Sequence, residues 1–427
     1  MDYIRIFDEI TEIIKKHYAG YERVNHTIVD FYIETLQNID TAKMTDQFFV
    51  DFVNDFLLEL DDQHLSFVNM NKNIQPGKKL LLRADQENVY VVRALEGLEI
   101  REGDELLEID GLSVSKIRAT RKKYLRSSEA IPERENWSIY AKGSQNILYK
   151  NNNGEIKKQH LIHNGNITLE ANHLRALNDD TYLLTLHHLQ KAADIEPILL
   201  EMEQYHSSMK NLIIDVRQNP GGNTSLTADL LPYVFPKNER PSFAMPETLY
   251  NCTEFNYETF KKNVDEIHPN DINEDTGNIF AYFLEVFKEN RGNGFIGFDL
   301  EQFTHSYASS YKPLEKEYIE RVIILVDSYT ASAAEEFALI CHSSSKVTTM
   351  GRATAGVNEY HSVMGVTWND TFELGYSIAK SGRPLVSHPL HGKGVQPDHY
   401  IPWTKEFLTE DVDMIAALSL LNSLAVK

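Results

Sequence analysis

The sequence predicts a multidomain α/β protein, and three observations lead there. The chain has 427 residues, which leaves room for two or three domains of roughly 100–200 residues. Apolar residues make up 42% of it and charged residues 25%, a balance that builds packed cores and excludes disorder of the whole chain. The hydrophobic pattern changes twice along the chain, from helical spacing to short strand-like runs and then to strands alternating with helices.

The first segment, 1–70, reads as helices. Ile4, Phe7, Ile10, Ile13 and Ile14 recur at helical spacing, as do Val29, Tyr32, Ile33 and Leu36, and then Phe48, Phe52, Phe56 and Leu57. The expected product is a small helical bundle ending near Asp61-Asp62-Gln63-His64-Leu65-Ser66-Phe67. Asn71-Lys72-Asn73-Ile74-Gln75-Pro76-Gly77 reads as a linker or turn. Residues 72–165 form a strand-rich module, with strands expected over 79–82, 89–92, 105–109 and 145–149 and a hairpin turn at Asn151-Asn152-Asn153-Gly154. From 166 to 427 strands (182–186, 212–216, 322–326) alternate with helices (197–205, 225–233), the pattern of an α/β core. Residues 240–320 are acidic, aromatic and partly helical over 279–287, and read as an insertion that covers something, as a lid, a dimer contact or a substrate guide.

Charge and composition exclude several function classes. Lys and Arg number 42 against 63 Asp and Glu, a net charge of −21. Nucleic acid is excluded as a partner, because phosphate binding needs a surplus of cations, and an anionic membrane surface is disfavoured likewise. No stretch approaches the roughly 18 apolar residues of a spanning helix. The opening Met-Asp-Tyr-Ile-Arg has no basic run leading into an apolar one, so no secretory signal is read and a cytoplasmic location is expected. Cys252 and Cys341 are too few for a disulfide framework or a cysteine-rich zinc site.

Four segments could carry chemistry. Asn211-Leu-Ile-Ile-Asp-Val-Arg-Gln-Asn-Pro-Gly-Gly222 is a buried strand running into a turn with two glycines and then a helix, which suits backbone amides aimed at an oxyanion. Asn-Pro-Gly-Gly is also ordinary turn chemistry. Arg321-Val-Ile-Ile-Leu-Val-Asp-Ser-Tyr-Thr-Ala-Ser-Ala-Ala-Glu-Glu-Phe337 repeats the design, with Ser332 in the first turn of a helix. A serine there can act as a nucleophile with the Ala333 amide beside it. Ser332-Ala-Ala-Glu335 equally has the spacing of a capping box, although Thr330 is also able to cap. His64 in Asp61-Asp62-Gln63-His64 is a candidate base only where the fold brings it to Ser332, since such a histidine is more often packed or solvated. Glu96–Gly111 reads as turn, strand and turn, with no chemistry of its own. His187, His188, His388, His391 and His399 match no metal-ligand spacing and His-Glu-x-x-His is absent, so no metal is expected.

Taken together and in this order, these segments resemble the C-terminal processing, or tail-specific, serine peptidases, the family that includes the tricorn core proteases. The resemblance covers most of the chain and rests on the Asp-x-His-like motif, Ile-Asp-x-Arg-x-Asn-x-Gly-Gly, Thr-Ala-Ser-Ala-x-Glu, and the closing Gly394-Val395-Gln396-Pro397-Asp398. Gly103-Asp104-Glu105-Leu106-Leu107-Glu108-Ile109-Asp110-Gly111 is similar to the family's PDZ signature, a module that captures a peptide end as an added strand. Its best carboxylate-binding loop is Pro76-Gly77-Lys78-Lys79-Leu80-Leu81.

The resemblance implies a crotonase- or ClpP-like α/β core behind a helical region and a PDZ-like domain. It implies peptide-bond hydrolysis through an acyl-enzyme, a polypeptide substrate and no cofactor. Ser332 would be the nucleophile, and the oxyanion hole would be the Ala333 amide with that of Gly221 or Gly222. Better-known members take their base from a lysine in Thr-x-Gly-Lys-Gly, but the matching stretch is Thr354-Ala355-Gly356-Val357-Asn358, with Val357 in the lysine's place. The tricorn-like branch uses a histidine from the segment before the core, and His64 occupies that position. Histidine needs little tuning for this work, whereas lysine needs its pKa lowered by burial. The branch's supporting glutamate is missing from His391-Gly392-Lys393-Gly394, so Glu335 or Asp62 is the candidate acid, and Lys393 reads as part of the closing motif. The alternative is a non-proteolytic ligand- or peptide-binding protein on the same scaffold, since the resemblance extends to retinoid-binding repeats. Whether the chain forms a homo-oligomer is left open.

Overall fold

The computed structural model describes residues 2–71, 77–125, 132–161, 165–168, 170–241, 248–267, 274–298, 313–314, 317–382, 390 and 392–425. Most of the expected linker at 71–77, Pro76 of the expected carboxylate loop, and His388 and His391 lie outside them. The chain divides into two compact units, one made of Met1–Met70 with Ala171–His399 and the other of Asn71–Glu170 with Tyr400–Lys427. In this grouping 1–70 joins 171–399, and the last segment of 166–427 joins the strand-rich module.

The reason lies in what the amino-terminal helices bury. Tyr3–Lys16 starts where Asp2 accepts a hydrogen bond from the Arg5 amide at 3.1 Å, and Asn25 and Thr45 cap His26–Gln37 and Asp46–Leu57 in the same way. Their apolar faces pack on a five-stranded antiparallel sheet, with Ser66–Asn69, Phe372–Ser381, Thr248–Cys252 and Gly294–Gly297 in that order and Tyr360–Trp368 also paired to Phe372–Ser381. Ser66 lies opposite Gly375. Phe372 is fully buried, with its ring 5.5 Å from Phe49 and 5.3 Å from Phe67. A helical face that needs partners 300 residues away cannot close a core alone.

The described part of 240–320 supplies two strands of this sheet, and Phe283 and Phe287 of the helix Glu274–Glu289 enter the same core. Acidic residues between the aromatics hid that role. The hairpin of Tyr360–Trp368 and Phe372–Ser381 also went unread. Its turn residues Asn369 and Asp370 have φ of 50° and 51°, the left-handed pair that Asn and Asp tolerate in a type I′ turn.

The second sheet of this unit carries the α/β alternation. Val347–Gly351, Arg321–Val326, Asn211–Asp215 and Thr181–Thr185 lie side by side and parallel, with His173–Ala176 antiparallel beside the last. Asn211–Asp215 is buried along its whole length, as a central parallel strand covered on both faces must be. In the other unit, Leu80–Asp85, Asn88–Ala94, Glu105–Ile109, Asn146–Lys150 and Ile156–His160 form an antiparallel sheet, with Leu112–Ser113 paired to the third. The turn after Asn151 falls where expected, with the Gly154 amide bonded to Asn151 O. Trp403 packs 6.5 Å from Tyr90, and the Lys405 amide donates to Asp85, which is why the last residues join this unit.

Phe372→Ala should cost about 3–5 kcal/mol, the usual penalty for emptying a buried aromatic site. Denaturant unfolding should show the amino-terminal helices melting with the sheet in one transition, and a separate earlier transition would contradict the shared core.

Candidate active site

Arg321–Val326 leads through a short turn to the helix Ala333–His342, and Ser332 stands between them with φ 53° and ψ −126°. That conformation is uncommon for a residue with a side chain. The Ser332 hydroxyl makes no hydrogen bond among the described residues and does not cap the helix, so the capping-box reading fails. Thr330 does not cap either: its hydroxyl donates to Val216 O at 2.9 Å and accepts from the Asp327 amide at 3.0 Å. The Ala333 N–H is left without a partner among the described residues.

The glycine turn is locked to this one through buried polar groups. Asp327 Oδ1 accepts from the amides of Gln218, Tyr329 and Thr330 at 2.9, 3.0 and 3.1 Å. Asn219, fully buried, receives the Ala331 amide on its backbone oxygen at 3.0 Å and donates through Nδ2 to Leu186 O at 2.8 Å. Its Oδ1 accepts the Gly221 amide at 2.8 Å. The Gly221 donor is therefore occupied, whereas the Gly222 N–H has no partner among the described residues. Both glycines are required by space. A Cβ on Gly221 (φ 98°) would lie 2.8 Å from Ser332 Cβ, and one on Gly222 (φ 140°) only 1.9 Å from Leu189 O.

His64 lies in the same compact unit as Ser332. Asp61 turns the chain with φ 52°, and Asp62 Oδ1 accepts the His64 amide at 2.8 Å. The same oxygen lies 3.5 Å from His64 Nδ1, which is buried. Asp62 Oδ2 accepts from the Ser377 hydroxyl at 3.1 Å on the adjacent sheet. Burial holds the Tyr18 hydroxyl well above its ordinary pKa, with the Asp62 charge adding to the effect, and pushes Tyr360 to about 12. Both therefore stay neutral around that carboxylate. The run that follows the helix Ala333–His342 and the strand Val347–Gly351 ties the two regions: Asn358 Nδ2 donates to Ser332 O at 3.0 Å, and the Tyr360 ring lies tilted 5.4 Å from that of Tyr18. No hydrogen bond joins His64 to Ser332.

Glu335, the other candidate acid, is spent elsewhere in the fold. It is fully buried and accepts from the Thr354 hydroxyl, the Gly356 amide at 2.6 Å and the Val357 amide at 3.1 Å. It thus holds the loop where a lysine stands in other members. The closing motif packs on that loop, with the Val395 amide on Thr354 Oγ1 at 2.7 Å and the Gly392 amide on Gly356 O at 3.0 Å. Lys393 sits within that motif. Among the described residues, no group of three His, Cys, Asp or Glu side chains is placed to hold a metal ion, and no helix is long and apolar enough to cross a membrane. The Asp62–His64 contact is an Asx turn, in which the acid bonds the backbone two residues on.

A strained serine at the head of a helix, next to a glycine turn with a free amide, is the architecture of a serine hydrolase site. Residues 180–401, more than half of the chain, match the model of peptidase family S41, and the chain belongs to that family of serine peptidases. No curated protein matches the sequence. Among solved structures it is similar to mature CPAF, at 13% identity and a TM-score of 0.64 over 98% of this chain and 97% of that one. Mature CPAF complexed with lactacystin is matched at 13% identity and 0.63 over 99% and 97%. The photosystem II D1 C-terminal processing protease is matched at 14% identity and 0.48 over 97% and 99%. At such identities the CPAF likeness is one of fold: mixed α/β, with amino-terminal helices and several sheets.

Glu335→Ala should act on stability before anything else. It strands two buried amides and a hydroxyl, each costing about 1–3 kcal/mol, and thermal unfolding should register the loss. Unchanged stability would mean that the loop has other acceptors.

Proposed function

We propose that this chain is a serine endopeptidase in which Ser332 is the nucleophile, His64 the general base and Asp62 the group that orients it. One observation carries the reading: the Ser332 hydroxyl is spent on no structural bond, and the amides of the adjoining Ala333 and of Gly222 in the neighbouring turn have no partner among the described residues. In the proposed reaction His64 takes the Ser332 proton as Oγ attacks the scissile carbonyl. The tetrahedral oxyanion forms against the Ala333 and Gly222 N–H groups, each donor of this kind contributing about 2.7–4 kcal/mol. Collapse expels the amine with the proton returned from His64. Water, deprotonated by the same imidazole, then releases the acyl group.

In this reading the substrate is a polypeptide, no cofactor takes part, the location is cytoplasmic, and the strand-rich unit is a PDZ-like gate or spacer. The alternative of a binding protein draws support from the lack of a hydrogen bond between His64 and Ser332. Catalytic hydrogen bonds are often long in unliganded sites and tighten only with substrate, so the peptidase reading is preferred.

A fluorophosphonate should label Ser332 rapidly, and Ser332→Ala should abolish both labelling and cleavage of an unfolded protein. An unlabelled wild type, or a Ser332→Ala variant with full activity, would end the proposal.

His64→Ala should lower kcat by about 10²–10⁴-fold. Asp62→Asn should lower kcat as well, with KM little changed, because the imidazole loses the carboxylate that orients it. An unchanged kcat in Asp62→Asn would deny Asp62 this role.

A further inference from the structure

The nucleophile's helix carries two adjacent glutamates in its first turn, and they meet opposite fates. Glu335 is saturated with donors. Glu336 is partly exposed, and its carboxylate has one bond, from the Thr224 hydroxyl to Oε2 at 3.0 Å. Among the described residues no Lys, Arg or His pairs with it, and its other oxygen accepts nothing. Burial raises its pKa above the ordinary carboxylate range, with the Thr224 bond opposing the effect. An anion in such a place lacks the cation that would offset its desolvation.

Its position says where that cation would come from. Glu336 is four residues after Ser332, one helical turn on, and its amide donates to Ser332 O at 3.0 Å. Thr224 is two residues after Gly222. On the far side, Glu336 lies close enough to the buried Tyr250 to act on its hydroxyl electrostatically. The carboxylate therefore sits between the nucleophile's helix and the chain leaving the glycine turn.

We propose that Glu336 is the specificity-determining residue of this site, selecting lysine or arginine on the residue whose carbonyl Ser332 attacks. The inference rests on Ser332 as the nucleophile. A net charge of −21 would also draw cationic segments toward the protein. A first-turn glutamate is favoured by the helix dipole in any case, but that role involves no substrate and predicts no selectivity.

The test separates binding from turnover. Ser332→Ala protein is titrated by calorimetry with two unfolded peptides that differ only in lysine or norleucine at one position, and so is the Ser332→Ala, Glu336→Gln double variant. The lysine peptide should bind the first protein at least tenfold more tightly than its norleucine counterpart, and Glu336→Gln should erase that ratio. Equal affinities, a ratio that survives in the double variant, or no binding of either peptide overturns the assignment. Thr224→Val, which leaves the charge in place, should keep the lysine preference, and its loss there would place the selectivity in the hydroxyl instead. Whether the wild type cleaves the lysine peptide is read separately, so absent turnover with intact selective binding would count against the peptidase reading alone.

Discussion

The backbone of Ser332 is the constraint on which the rest of the site depends. A non-glycine residue at φ 53° and ψ −126° costs on the order of 1–3 kcal/mol and persists only where its surroundings over-determine it. They do so here. Asn219 O holds the preceding amide, Asn358 and the Glu336 amide hold the Ser332 carbonyl, and Gly221 leaves no room beside the Cβ. The result is a hydroxyl turned away from the helix it heads, with the first amide of that helix unspent.

Four buried polar side chains give this arrangement its rigidity, each linking segments distant in sequence. Asp327 joins the two strand-turn-helix loops, Asn219 fastens the glycine turn to Ala331 and to Leu186, and Glu335 anchors the 354–357 loop beneath the closing motif. Asp62 fixes the His64 backbone and reaches the neighbouring sheet through Ser377. Buried carboxylates are costly unless their lone pairs are used, and in Asp327 and Glu335 they are met by backbone amides. Such hubs set geometry more than they add net stability.

Local pattern made much of this legible. The helices of 1–70, the strands around 212–216 and 322–326 and the hairpin turn at 151–154 follow from spacing and turn residues, because each is decided within about ten residues. Motif order pointed to Ser332, Ala333 and Gly221 or Gly222 as candidate site residues. Three features did not follow, for one physical reason. That the first 70 residues share a core with 360–381, that the 240–320 segment lends strands to that core, and that the Gly221 amide is taken by Asn219 are all settled by long-range packing. The assignment between Glu335 and Asp62 was of the same kind: spacing left both open, and only the partners of each carboxylate distinguish them.

The pairing of Ser66–Asn69 with Phe372–Ser381 has a consequence for how the protein is made. Loop closure over some 300 residues comes late in folding. A ribosome must therefore deliver residues 372–381 before the segment that carries His64 has its sheet to dock on. Until then the apolar faces of the amino-terminal helices stay uncovered on the nascent chain.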